Sequence, residues 1–214
     1  MLKSVFHRSL ATLAATLLVS LALPLTGATA AGTAGVDDFS QCKNGAGQLS
    51  CTGWTNGILN ASNSTYREDG VTPQRLVMNF GTAGVHTIQI SYLALDGSHH
   101  AYDSLATWNH TETAADRCQG ISAALCVGGA VSTFPIPADP TPVPPTGPGI
   151  SNITAAHQLP GQQMELYGGT LTGVDNQAHG TYAPDYGSVL VTLTTTSANA
   201  EIMLLFGGHI AAGG

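Results

Sequence analysis

Few residues in this chain have types and spacing suited to chemistry. The densest group is Asp96-Gly97-Ser98-His99-His100-Ala101-Tyr102-Asp103. An imidazole beside a carboxylate can bind a transition metal or serve as base and orienter. Successive strand residues face opposite sides, so His99 and His100 would not chelate together. His100 and Asp103 are the pair expected to approach, across a turn. The plainer reading is a polar hairpin tip followed by a structural His and Asp.

A second group runs from Asn56 to Asp69. Asn56, Asn60, Asn63, Glu68 and Asp69 offer oxygen ligands, which suit calcium. The spacing matches no EF-hand loop. Asparagines that cap turns through their own side chains are the simpler account. The aromatics form a third group: Trp54, Tyr66, Tyr92, Tyr102, Trp108, Tyr167, Tyr182 and Tyr186. An exposed ring beside Asn or Asp can stack on a sugar, and Trp54 and Trp108 have the best context for that. Packing in the core is the competing role for every one of them.

Other signatures are missing from the sequence. There is no G-x-S-x-G elbow, H-E-x-x-H, P-loop or dinucleotide fingerprint, so no catalytic residue is assigned. A glycosidase pair could be drawn from the 13 acids in many ways and is therefore not evidence. His86, His110, His157, His179 and His209 are scattered, and only tertiary structure could bring them together.

These groups need elements to position them, and the pattern is that of strands. Val85–Leu95 alternates Ile88, Ile90, Tyr92 against Gln89, Ser91, between Gly84 and Asp96-Gly97. Gly187–Thr196 sets Val189, Val191, Leu193 against Leu190, Thr192, Thr194. Ala200–Phe206 is nearly continuous apolar sequence, as in a strand buried on both faces. Arg75–Phe80 predicts a short strand. Gln163–Thr172 predicts one interrupted at Gly168-Gly169 by a bulge. Asp103–Thr113 fits a helical turn or a short strand. With 26 glycines and no helical stripe after Ala30, the fold class is all-β. A single antiparallel β-sandwich or jelly-roll-like domain over residues 41–214 is expected, after a flexible start at 31–40. Pro135–Pro148 holds seven prolines in fourteen residues, a polyproline strap over the surface or a linker.

The ends carry their own signals. Lys3 and Arg8 precede a charge-free run, Leu10–Leu25, and Ala28-Thr29-Ala30 supplies small residues for cleavage. This is the layout of a secretory signal peptide over 1–30, cleaved after Ala30. The run is too short to span a bilayer. Past Ala30 the chain keeps four bases and all 13 acids, a formal charge of −9. Such a surface repels nucleic acid and anionic membranes. Export favours oxidised cysteines, and spacing favours two local pairs, Cys42–Cys51 and Cys118–Cys126, among three connectivities. No C-x-x-C spacing supports zinc. At the other end the buried strand runs into Gly207-Gly208-His209-Ile210-Ala211-Ala212-Gly213-Gly214 without a polar tail. That pattern implies missing strand partners and a chain that continues past Gly214.

One block is distinctive: Gln41-Cys42-Lys43-Asn44-Gly45, then Cys51-x-x-Trp54-x-Asn56-Gly57-x-Leu59-Asn60-x-x-Asn63-Ser64-x-Tyr66-x-Glu68, then Arg75. His86-Thr87, Tyr92, His100-Ala101-Tyr102-Asp103, Cys118, Tyr167-Gly168-Gly169-Thr170 and Gly207-Gly208-His209 follow. The ensemble resembles an exported bacterial cell-surface family of unassigned function. Its members often precede prealbumin-like (Cna B-type) repeats. The resemblance covers most of residues 41–210 and implies export and surface location, with no catalytic residues to carry over.

Three functions follow as expectations. The favoured one is an exported, non-catalytic surface or secreted module that binds an extracellular ligand or serves as a structural part. The others are a secreted metal-dependent hydrolase using His100 and Asp103, and a calcium-stabilised carbohydrate-binding module using Trp54 and the 56–69 stretch.

Overall fold

The computed structural model describes residues 19–20, 34–45, 51–57, 59–96, 99–126, 131–139, 158–179 and 186–212. The expected signal peptide, except Val19–Ser20, and most of the Pro-rich stretch 135–148, expected as a strap or linker, lie outside them. Thirteen strands and one helical turn are described: β1 (Val19–Ser20), β2 (Gly35–Lys43), β3 (Gly53–Thr55), β4 (Val71–Phe80), β5 (Gly84–Leu93), β6 (Leu95–Asp96), β7 (His99–His100), β8 (Tyr102–Ala106), α1 (Ala123–Cys126), β9 (Ser132–Pro135), β10 (Gln163–Tyr167), β11 (Thr170–His179), β12 (Tyr186–Thr195) and β13 (Ala200–Ile210).

The strands form two antiparallel sheets and one small hairpin. Sheet A has the order β1-β5-β12-β11, and sheet B the order β3-β2-β4-β13-β10-β9, with β8 also on β13. β6 and β7 form the hairpin, pairing Leu95 with His100. The fold is an all-β sandwich, as the composition and alternation predict. Between the sheets lie Leu76, Met78, Phe80, Ile202, Leu204 and Phe206 from sheet B, against Ile88, Ile90, Tyr92, Val189, Val191 and Leu193 from sheet A. The predicted alternation of β12 is realised: Val189, Val191 and Leu193 are buried while Leu190 is 41% exposed.

β13 is buried on both faces for a specific reason. Its even-numbered residues face sheet A, and Met203 and Leu205 join a second cluster with Val77, Trp108, Leu125 and Tyr167. That cluster lies on the other side of sheet B, and residues from the 108–126 stretch contribute Trp108, Ala115, Ile121, Leu125 and Cys126 to it. Sheet B is thus covered from both sides, and its central strands read as continuous apolar sequence.

Several expectations change. Of the expected flexible start at 31–40, residues 35–40 belong instead to β2, which pairs with β4 through Phe39↔Leu76 and Gln41↔Gln74, while 31–33 lie outside the described residues. Gly168-Gly169 is no bulge within one strand; it is the crossing from β10 in sheet B to β11 in sheet A. Gly168 sits at φ 81°, and a Cβ there would collide with the Glu201 carbonyl. Asp103–Thr113 divides into the end of β8 and a turn-rich loop. The strand expected to lack partners has them on both edges: β4 on one, β10 and β8 in succession on the other. The cysteines pair as Cys42–Cys51 and Cys118–Cys126, with Cα separations of 5.5 and 5.7 Å. No helix among the described residues is long and apolar enough to cross a membrane.

Candidate functional site

The outer side of sheet B carries a cleft of about 580 Å³ lined by residues of β2, β3, β4 and the 119–121 turn. Its floor is Arg75, only 3% exposed in the middle of β4. A buried guanidinium needs bonded partners and an opposite charge to be tolerated, and here the two terminal nitrogens have them while Nε has no hydrogen-bond partner among the described residues. Arg75 Nη1 donates to the carbonyls of Arg117 (2.9 Å) and Gln119 (2.8 Å), and Nη2 donates to Asp38 Oδ2 at 3.2 Å. Burial pulls its pKa down, and the Asp38 carboxylate opposes that.

Trp54 of β3 lies against this guanidinium, the carbon at its centre 4.5 Å from the ring centroid. Its indole N–H donates to the Asp116 carbonyl at 2.8 Å, which fixes the plane of the ring. Lys43, Thr52, Asn56 and Gln119 line the same cleft, and Asn56 is exposed. The Cys42–Cys51 bridge ties β2 to the start of β3, and so holds Lys43 opposite Gly53. The result is a fixed aromatic ring ringed by amide, ammonium and hydroxyl groups.

The second site is buried. His209 Nδ1 and Asp103 Oδ1 are 2.6 Å apart, with side-chain exposures of 1% and 0%. A bulge creates the contact. β13 pairs His209 with Ser104 and Ile210 with Tyr102, so Asp103 is the extra residue of β8. A bulge re-aims the side chain of its extra residue. Ser104 Oγ donates to Asp103 Oδ1 at 3.1 Å. On the other side, His209 Nε2 lies 3.9 Å from Oδ1 of Asp69, an exposed residue at φ 61°. An Asp–His pair can orient a general base. Here Nε2 is enclosed and no hydrogen bond to it is formed among the described residues, so the pair joins β8 to β13.

A third feature is a cavity of about 310 Å³ bordered by Leu59, Asn60, Tyr66, His100, Tyr102 and Ile210. Tyr66 donates to the Cys42 carbonyl at 2.9 Å, and burial, with Glu112 nearby, raises its pKa. Glu112 is fully buried, accepts from Asn44 Nδ2 at 3.2 Å, and has its pKa raised by burial against that bond.

The sequence-derived candidates are therefore distributed. Asn56 borders the Trp54 cleft, and Asp69 adjoins His209. Asn60 and Asn63 close a turn, Asn63 Oδ1 accepting from Asn60 N and Asn60 Oδ1 from Ser62 N, both at 2.9 Å. Both side-chain oxygens thus accept from backbone donors within the turn. Glu68 is exposed in the turn before Asp69. No group of three His, Cys, Asp or Glu residues able to hold a metal occurs among the described residues. His100 borders the 310 Å³ cavity, while Asp103 turns to His209. Trp108 is 4% exposed within the outer cluster, so its ring is packed against protein and cannot stack on a ligand at the surface. The side chains of Asp96 and His99, and His157 and His179, fall outside the described set.

Sequence reasoning missed Arg75, Asp38, Lys43 and His209 as site residues. A signal existed for two of them. Arg75 and His209 interrupt strands that are otherwise buried on both faces, and such a polar residue must have a bonded partner. Comparison with family models, with curated proteins and with solved structures gives no match to this chain.

Proposed function

We propose that this protein is an exported extracellular module that binds a surface polysaccharide in the Trp54 cleft. The carrying observation is that one cleft gathers a fixed indole with Lys43, Asn56, Thr52 and Gln119 on the covered face of sheet B. The leader-like first thirty residues and the two local disulfides support export. Sugar binding of this type needs no moving parts: the ring supplies stacking area, and the rim supplies hydrogen bonds. The Asp103–His209 pair is closed to substrate, so binding is favoured over hydrolysis.

The test is affinity electrophoresis of the protein through gels containing single purified bacterial wall and capsular polysaccharides. Retardation by one of them is expected. It should be lost in a Lys43→Ala/Asn56→Ala variant whose unfolding midpoint stays within a few degrees of the parent. Trp54→Ala should also abolish retardation, though it removes packing as well. Depolymerisation of a gel polymer, or migration unaffected by every polymer, would refute the reading.

A further inference from the structure

β5 is a long strand of sheet A whose two edges are covered unequally among the described residues. One edge pairs with β12 along its whole length, from Gly84↔Thr195 to Leu93↔Tyr186. Among the described residues the other edge is touched at two positions, where Val19 pairs with Ile90 and Ser20 with Gln89. Those two belong to the leader. The far edge of sheet A is guarded, because the Leu171 amide of β11 donates to Ser132 Oγ of β9 at 2.9 Å. Among the described residues, this edge of β5 is covered by the two-residue β1 alone.

Edge strands are ordinarily blunted by charge, proline or a bulge. β5, Gly-Val-His-Thr-Ile-Gln-Ile-Ser-Tyr-Leu, has no Asp, Glu, Lys, Arg or Pro and no register shift against β12. Its titratable imidazole, His86, is stacked on Phe80 at 4.0 Å and bonded to Thr195 Oγ1 at 2.9 Å. The outward-facing Val85 is 70% exposed. Charge is distributed to match. Across β5, β12 and β11 the acidic and basic residues come to Asp175 alone, while sheet B bears Asp37, Asp38, Lys43, Arg75, Asp103, Glu165 and Glu201. An acidic molecule meets a copy of itself with least repulsion through sheet A.

We propose that, with the leader removed, β5 pairs antiparallel with β5 of a second copy of this chain. The two sheets A then join into one continuous sheet across a two-fold axis. The contact is isologous, so a neutral strand faces an identical neutral strand and no like charges are set in register. The leader's uncharged strand, seated antiparallel on this edge, marks the chemistry that the edge accepts. The proposal rests on the export reading only for the departure of Val19–Ser20.

The chain is expressed with its own leader, and the N-terminus of the exported product is sequenced. A retained leader defeats the export reading. The edge is then tested on the same chain lacking residues 1–30, so the two failures are separate. Sedimentation equilibrium should give twice the monomer mass at micromolar concentration. Hydrogen exchange should slow in β5 as concentration rises, and not in the already paired β12. Val85→Lys/Thr87→Lys places like charges along the edge and should weaken self-association about tenfold or more, with the unfolding midpoint nearly unchanged. A monomer at every concentration overturns the proposal. So does a dimer that ignores the lysines and leaves β5 exchange unaltered. A monomer that binds a synthetic peptide of residues 16–24 also overturns it, since the edge would then take a foreign strand in place of its copy.

Discussion

At the scale of single residues, buried polar groups in otherwise apolar strands organise this molecule. His209 and Asp103 lie 106 positions apart and are joined at 2.6 Å without access to water. Asp103→Ala leaves the imidazole N–H without an acceptor in a site where water does not replace it. The expected loss is about 2–3 kcal/mol in urea denaturation; a smaller effect than that of an exposed substitution would remove the pair from any structural role. Glu112 gives a pH signature. Its native pKa is raised by burial above the value in the unfolded chain. The folded state therefore holds that proton more tightly, and this group's contribution to stability falls as pH rises through the unfolded value toward the native one. Glu112→Gln keeps an acceptor for Asn44 and removes the buried charge. It should raise the thermal midpoint near pH 7 and leave it unchanged near pH 4. An equal shift at both pH values would show that charge is not the cause.

At the scale of elements, the 108–126 stretch does two jobs. It covers the outer face of sheet B with Trp108, Ile121 and Leu125, and its carbonyls at Arg117 and Gln119 hold Arg75. The Cys118–Cys126 bridge closes this stretch around α1. Cys118→Ser/Cys126→Ser should cost about 2–3 kcal/mol. Hydrogen exchange should quicken in 108–126 while β4 and β13 stay protected, and polysaccharide retardation should weaken because the cleft loses its 119–121 wall and Arg75 the carbonyls that hold it. Uniform quickening across both sheets would mean that the bridge acts on the whole fold. The strands themselves were largely legible. β5 and β12 announce themselves by alternation, and β13 by its apolar run. β2 was hidden, because Gly-Val-Asp-Asp-Phe-Ser-Gln looks like a solvated tail until Phe39 is set beside Leu76.

At the scale of the whole molecule, two sheets enclose the main core and a loop layer makes a second, smaller one. This three-layer arrangement gives the faces different characters. The loop-covered side of sheet B carries the charges and the cleft. Sheet A is nearly free of charge, and its strand β5 is covered on one side, among the described residues, by the two-residue β1 alone. Binding on one side and self-pairing on the other would place two clefts on a single dimer, and a doubled site raises avidity for a repeating polymer without any new contact.

The sequence by itself determined what depends on local spacing. It marked the strand periods, the all-β class, the two short disulfide loops and the turn asparagines, because each is set within about ten residues of chain. Only the tertiary structure decided which chemistry-bearing groups meet. Asp103 turns from His100 to His209 because a bulge in β8 re-aims it. Trp108 is buried in the second cluster, whereas Trp54, partly buried against that same cluster, also borders the cleft. Such contacts join strands that are neighbours in a sheet and distant in the chain, and no local pattern records that distance being closed.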